Sequence, residues 1–260
     1  MVAGLSSRFR GKIKQFARLG KNNETLIEYS LNQALPAGFS KIIFIVGNKT
    51  EAPFKEMFGN EYKGVPIQYA LQKFNPELRE RPWGTTDAIC SAKEFLNCSF
   101  VVCNGDDLYG ESSFKQLVEH LKNSETNATL GYKLKNVLPE QGKTNRGIFE
   151  LNKDNTIKNL TEVFEIEKPN LTEKNLNEES LCSMNIFAFT PKTLEFLNQK
   201  LVKFKQEHKG NKRVECLLPE EIGKLIQDKR ISVKVYPTES KWLGVTNPGD
   251  EIKVKQELEK

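Results

Sequence analysis

Two uninterrupted apolar runs limit what this chain can fold into. Lys41-Ile-Ile-Phe-Ile-Val46 and Ser99-Phe-Val-Val-Cys103 carry β-branched or aromatic residues at consecutive positions, the pattern of strands buried on both faces. Such strands need helices on each side of their sheet. The flanking segments supply them. In residues 24–37, Leu26, Ile27, Leu31 and Leu35 recur at helical spacing, and Gly38 follows as a stop. A short helix is expected around Phe54, Met57 and Phe58, then a strand over 66–72, a helix over Asp87–Leu96, an amphipathic helix over 114–122 and a strand over 127–134. This alternation predicts an α/β fold with a mostly parallel mixed central sheet flanked by helices.

The second half reads differently. Strands are expected over 147–152, 156–163 and 183–190, joined by the polar stretch 168–180. A further strand at 231–237 precedes a loop and a closing helix at 242–260. This is a β-rich subregion added to the first half. With no repeat and no low-complexity linker, one domain over 1–260 is expected, with lobes at 1–132 and 133–250.

Composition narrows the function. Of the 260 residues, 38% are hydrophobic and 28% charged, and no apolar stretch reaches bilayer length. The N-terminus shows no signal-peptide pattern, so a soluble, cytoplasmic protein is expected. The net charge of +5 comes from scattered lysines interleaved with acids; no dense basic run argues for nucleic acid. Cys90, Cys98, Cys103, Cys182 and Cys216 lack metal-ligand spacing and read as buried free thiols, the first three in apolar surroundings. With only His120 and His208, both in polar helical stretches, a Ser-His-Asp site or a His-rich zinc site is hard to build. Nothing here fixes the oligomeric state.

Ligands of parallel α/β sheets collect at the carboxyl ends of strands. Three segments fall there: the loop after Met1-Val2-Ala3, the Gly84-Thr85 pair, and Asp106. The first runs Gly4-Leu5-Ser6-Ser7-Arg8-Phe9, with Lys12 and Lys14 beyond. Small residues let backbone N–H groups approach phosphate oxygens, and the cations supply charge. A flexible basic N-terminus has the same composition, and no Walker A pattern is present.

The stretch from Ala3 to Phe9, followed by Lys14, resembles the signature loop of sugar-phosphate nucleotidyltransferases, with Ser6 where that family often has glycine. The resemblance implies a Rossmann-like fold, a nucleoside triphosphate and a sugar 1-phosphate as substrates, and Mg²⁺ as cofactor. It assigns nucleotide binding to Ala3, Gly4, Leu5, Ser6 and Ser7, and charge neutralisation in catalysis to Arg8 and Lys14. Gln72, Gly84 and Thr85 resemble the family's base-reading residues; the alternative is a loop before a helix, capped by Thr85 or Thr86. Asp106, ending the strand in Asn-Gly-Asp-Asp, resembles the metal-binding aspartate; the alternative is a helix cap.

On the sugar side, Gly147, Glu162, Asn185, Lys241 and Thr246 are the family-like positions. Glu167 competes with Glu162 for the acidic role. Gly244 and Thr246 stand where relatives place a second metal ligand, so Thr246, Asn247, Asp250 or water are its candidates. The implied reaction is attack of a sugar-phosphate oxygen on the α-phosphorus of the triphosphate, releasing pyrophosphate. UTP is slightly favoured as the triphosphate. Alternatives are a cytidylyl- or guanylyltransferase with a non-sugar acceptor, and a non-catalytic nucleotide-binding paralogue. The same resemblance places a full apolar strand ahead of the loop, where only Met1-Val2-Ala3 stand. The expectation is therefore that the natural chain starts several residues upstream.

Overall fold

The computed structural model describes residues 1–4, 13–139, 142–245 and 249–259. A capping box opens α1 (Leu26–Ala34): the Thr25 hydroxyl accepts from the Glu28 N–H, and the Glu28 carboxylate accepts from the Thr25 N–H. A 3-10 turn at Leu35–Ala37 ends at Gly38, whose φ of +86° suits a residue without a β-carbon. The first half continues through β1 (Ile42–Val46), α2 (Glu51–Phe58), β2 (Glu61–Tyr62), β3 (Val65–Leu71), α3 (Thr85–Ser91), β4 (Phe100–Val102), β5 (Asp107–Leu108), α4 (Glu111–Asn123) and β6 (Asn127–Lys133). The second half comprises α5 (Leu134–Val137), β7 (Thr144–Leu151), β8 (Ile157–Ile166), β9 (Leu181–Ser183), β10 (Phe187–Phe189), α6 (Pro191–Glu207), α7 (Leu218–Gln227), β11 (Val233–Thr238), β12 (Leu243–Gly244) and α8 (Asp250–Glu259).

The sheets are mixed, and the parallel share is smaller than the alternation implied. β1 and β3 pair in parallel, Ile42 opposite Ile67 and Val46 opposite Leu71, with β2 antiparallel on the far edge. The larger sheet has the order β4-β10-β6-β9-β7-β8, with β11 parallel to β6. Its antiparallel contacts include the second-half pairs β7–β8 and β7–β9 and those of second-half strands that return into the first half: β10 inserts between β4 and β6. The short β12 pairs antiparallel with β5, Gly244 opposite Asp107.

The N-terminus lies between the two sheets. The Met1 ammonium donates to the Cys103 carbonyl at 2.7 Å, and the Gly105 N–H donates back to the Met1 carbonyl at 2.9 Å. The Val2 N–H donates to the Ile45 carbonyl at 2.7 Å. Met1 and Val2 thus sit as strand residues between β1 and the end of β4, parallel to both.

Local details depart from expectation in three places. The helix expected at Asp87–Leu96 starts at Thr85, with Gly84 as its N-cap, and breaks into a 3-10 turn at Lys93–Phe95. The run at 183–190 is two strands, interrupted where Asn185 takes a φ of +57°. Cys98 is exposed rather than set in an apolar environment, whereas Cys90, Cys182 and Cys216 are buried; all five thiols are free.

An aromatic cluster anchors the 3-10 turn at Lys14–Phe16. Fully buried Phe54 on α2 packs against Phe16 at 4.9 Å, Phe44 at 5.0 Å and Phe58 at 5.9 Å between ring centroids. Phe54→Ala removes the ring all three share, and should cost about 3–5 kcal/mol. Urea unfolding monitored by circular dichroism checks this; a loss below about 1 kcal/mol would show that the cluster closes over the gap.

Candidate active site

Three of the expected site segments converge at the carboxyl ends of parallel strands. Ala3 follows Val2 and lies against Gly47, just past β1; a β-carbon on Gly47 would come within 2.9 Å of the Ala3 carbonyl oxygen. Gly4 follows, exposed. Asp106 is next to Gly105, whose N–H is held by Met1. The Lys14 ammonium, in the 3-10 turn Lys14–Phe16, forms an ion pair with the Asp106 carboxylate, and each side chain is 17% exposed. Leu5, Ser6, Ser7 and Arg8, expected to line the phosphates, lie outside the described residues. Both flanks of that segment are nonetheless fixed: Gly4 by the strand before it, Lys14 by Asp106.

The two adjacent acids divide their roles. Asp107 is buried, and its Oδ2 accepts from the Asn104 amide at 3.0 Å and from the Tyr109 hydroxyl at 3.1 Å. Burial, reinforced by the neighbouring charge of Asp106, raises its pKa above the usual carboxylate range. The Tyr109 hydroxyl also lies 2.8 Å from the Met184 carbonyl, which ties the acid pair to the start of the Asn185 turn. Sequence reasoning gave Asp107 no partner. The alternation in Asn104-Gly-Asp-Asp-Leu-Tyr109 could have shown that Asp107 and Tyr109 share a face.

Gly244 has a steric reason to be glycine. A β-carbon there would come within 2.6 Å of Asp107 Oδ1 and clash with the Trp242 ring, so no carboxylate fits at 244. The Val245 N–H donates to the Asp106 carbonyl at 3.1 Å. The second-ligand candidates Thr246 and Asn247 lie outside the described residues, while Asp250 opens α8. Among the described residues no cluster of three or more metal-ligating side chains occurs.

Gln72, Gly84 and Thr85 form one knot. The Gln72 side-chain amide donates to the Gly84 carbonyl at 3.0 Å and to Asp87 Oδ2 at 2.8 Å. Asp87 is also ion-paired with Lys205. The Gln72 side-chain oxygen has no hydrogen-bond donor among the described residues. Gly84 has a φ of +98°, and a β-carbon on it would lie 2.7 Å from the Cys216 carbonyl oxygen. The Thr85 hydroxyl accepts from the Leu218 N–H at 2.9 Å. Arg79 stacks 3.4 Å over Trp83 and donates to the carbonyls of Arg81, Asn211 and Val214. The loop before α3 is therefore fastened to the segment before α7.

On the sugar side, Gly147 and Glu162 are register partners across β7 and β8. A β-carbon on Gly147 would approach Leu160 at 3.1 Å, Pro219 at 3.2 Å and Glu162 Oε2 at 3.5 Å, so glycine leaves Glu162 room. Burial, then the charge of Glu220, push the Glu162 carboxyl up to about 7, against the lowering influence of Arg146. Glu167, the competing acid, forms a capping box with Asn170 on a 3-10 turn. Asn185 Oδ1, Arg146 Nε and Trp242 Nε1 are buried polar atoms without a hydrogen-bond partner among the described residues. Arg146, lying 5.7 Å from the Trp242 ring, was not singled out in the sequence, although its neighbour Gly147 was. Lys241 is separate from these groups, exposed and ion-paired with Glu257 on α8.

Ala3 and Gly4 past the end of β1, and the Lys14–Asp106 pair past the end of β4, lie where ligands of α/β sheets collect. The sequence matches the nucleotidyl transferase family over residues 7–260, and the chain belongs to that family. It is 27% identical over 242 residues to the bifunctional protein GlmU of Staphylococcus saprophyticus, covering 92% of this chain and 47% of that protein. It is 26% identical over 147 residues to the D-glycero-alpha-D-manno-heptose 1-phosphate guanylyltransferase of Campylobacter jejuni, covering 56% of this chain and 61% of that one. The chain thus spans about half the length of the GlmU relative and under two thirds of the guanylyltransferase. A UDP-glucose pyrophosphorylase structure with bound UDP-glucose superposes with a TM-score of 0.69 at 19% identity, covering 98% of this chain and 95% of that one. The mixed α/β fold is that of these nucleotidyltransferases. No helix among the described residues is long and apolar enough to cross a membrane.

Gly84→Ala should destabilise the protein by about 1–3 kcal/mol, because both the positive φ and the Cys216 carbonyl oppose a β-carbon. Thermal unfolding reads the loss; an unchanged midpoint would mean that the loop relaxes away from Cys216.

Proposed function

We propose that this protein transfers a nucleoside monophosphate from a nucleoside triphosphate to a sugar 1-phosphate, releasing pyrophosphate. One observation carries the reading: the Lys14–Asp106 pair lies at the exit of the phosphate loop and at the carboxyl end of β4, in a chain of the nucleotidyl transferase family. In the reaction an oxygen of the sugar phosphate bonds to the α-phosphorus, the bond to the β-bridging oxygen breaks, and pyrophosphate takes that electron pair. The nucleophile is already an anion, so no general base is needed, and catalysis rests on positioning and charge stabilisation. Lys14, with Arg8, neutralises the phosphates. The lobe over 1–132 takes the nucleotide and that over 133–250 takes the sugar phosphate.

Asp106 suits a hard divalent cation such as Mg²⁺: its carboxylate is partly exposed at a strand end, while Asp107 is occupied by Asn104 and Tyr109. One or two carboxylates completed by water and substrate phosphate are the usual Mg²⁺ set. When bound, the cation supplies positive charge against phosphate oxygens. Thr246, Asn247 or Asp250 supply any second protein ligand.

The base preference follows from Gln72. Its amide N–H groups are directed at Gly84 and Asp87, which leaves its oxygen as an acceptor. The ring N–H of uracil, thymine or guanine meets that acceptor, whereas the corresponding ring nitrogen of cytosine does not donate. UTP is slightly favoured as the partner, since dTTP and GTP meet the same acceptor. Gly147, Glu162 and Asn185 contact the sugar, Glu162 as an acceptor for hydroxyls; Lys241 and Thr246 hold its phosphate. The proposed location is the cytoplasm.

Pyrophosphate release over a panel of nucleoside triphosphates and phosphorylated acceptors tests the reading. Turnover should be highest with UTP and a sugar 1-phosphate. Turnover only with CTP or GTP and a non-sugar acceptor would move the assignment to those transferases, and none with any pair would leave a nucleotide-binding paralogue. Asp106→Ala should lower kcat by about 10²–10³-fold with the fold retained; unchanged turnover would remove Asp106 from the site.

Glu162 adds a pH dependence. A carboxyl with a pKa of about 7 ionises as pH rises, so its acceptor strength grows upward through neutrality. The KM for the sugar phosphate should fall about tenfold between about pH 6 and 8, beyond any change seen in Glu162→Gln. Equal pH profiles for the two proteins would show that Glu162 does not contact the sugar.

A further inference from the structure

The buried Gln72 amide donates twice from its nitrogen, to the Gly84 carbonyl at 3.0 Å and to Asp87 Oδ2 at 2.8 Å. The first partner is a main-chain carbonyl and can only accept. The second is a side chain, and what it offers depends on its state. A carboxylate accepts only; a protonated carboxyl, or an amide, can also donate. Asp87 is buried in the first turn of α3, where a carboxylate needs a paired cation.

Lys205 supplies that cation. Its ammonium is ion-paired with Asp87 Oδ1, the oxygen that Gln72 leaves free. The neighbouring Arg79 gives its N–H groups to main-chain carbonyls instead. Lys205 stands on α6, 118 residues along the chain from Asp87, with its ammonium 6.0 Å from the centre of the Trp83 ring. The adjacent Phe204 is buried and meets the same ring edge-on at 6.2 Å. Packing of α6 on the loop before α3 thus sets where the ammonium lies. From Lys205 through Asp87 to Gln72, every hydrogen bond runs toward the carboxylate. Turning the amide over would set its oxygen against two acceptors at once.

We propose that Asp87 and Lys205 are positioning residues that select the base: they hold the Gln72 amide with its oxygen outward, so that the protein takes bases with a ring N–H at that point (uracil, thymine, guanine) over those with a bare ring nitrogen (cytosine, adenine). The inference rests on the reading that Gln72 contacts the base. It adds that the selection is made by a helix of the second half of the chain, outside the segments that touch the nucleotide.

The test measures dissociation constants by titration calorimetry for UTP against CTP and for GTP against ATP, pairs that differ at this ring nitrogen. The wild type should prefer UTP to CTP, or GTP to ATP. Asp87→Asn keeps the side-chain shape but can donate as well as accept. It should lower that preference about tenfold, the contribution of one hydrogen bond to a charged group. Lys205→Arg, which keeps the cation, should retain the preference. The double variant Asp87→Asn with Lys205→Met leaves no charge unpaired and should show the same loss as Asp87→Asn. In a Gln72→Met background, Asp87→Asn should change nothing further. A tether that merely joins α3 to α6 would weaken both members of a pair together and leave their ratio unchanged. An unchanged preference in Asp87→Asn would therefore overturn the proposal, as would an equal loss with and without Gln72. The wild type alone tests the underlying reading: equal affinity within both pairs, or no binding, would remove Gln72 as the reader of the base and the proposal with it.

Discussion

Three backbone hydrogen bonds at Met1 and Val2 hold this structure together at its functional end. Val2 N–H to Ile45, Met1 ammonium to Cys103 and Gly105 N–H to Met1 are the contacts through which the small parallel sheet and the larger mixed sheet meet at the carboxyl ends of their strands. Each contact also positions a chemical group. Gly105 is followed by Asp106, and Val2 by Ala3 and Gly4. Gly47 and Gly105 keep the approach close: a β-carbon on either would reach a carbonyl oxygen of Ala3 or Met1 at 2.9 or 3.2 Å. Ala3, Gly4 and Asp106 are thus set by main-chain geometry.

That geometry determines how charge is arranged. Two adjacent carboxyls at the end of one strand repel each other, and the cost is greatest where both are buried. The fold separates them. Asp107 turns inward to Asn104 and Tyr109, whereas Asp106 turns to the partly exposed side and meets Lys14. The same lysine begins the turn whose Phe16 is seated on Phe54. The segment that follows the loop is therefore fastened by packing and by charge together. Gly244 belongs to the same arrangement, since the space a side chain would need there is filled by Asp107 and Trp242.

Much of this was legible in the sequence wherever the signal was local. The runs at 42–46 and 100–102 are strands, Gly38 stops a helix, and the strand ends gather Ala3, Gly4, Lys14 and Asp106. Pairing was not legible, because it is set by contacts distant along the chain. No local pattern tells that β10 inserts between β4 and β6, or that the Thr85 hydroxyl at the start of α3 accepts from the Leu218 N–H. The choice between Glu162 and Glu167 was of the same kind. Both follow plausible strand residues, but only the fold shows one facing Gly147 and the other capping a turn.

If Gln72 reads a base as proposed, its structural and binding roles need not compete. An amide free to rotate presents a donor or an acceptor with equal ease and discriminates poorly. Here Gly84 and Asp87 accept from its nitrogen, Asp87 is held by Lys205, and Gly84 is held against Cys216. These contacts leave the amide one orientation, with the oxygen as the remaining acceptor. A residue that is immobilised by the core in this way loses little further freedom when a ligand binds, so its selectivity costs less affinity. The contacts that make the loop before α3 look purely structural are the ones that would make it specific.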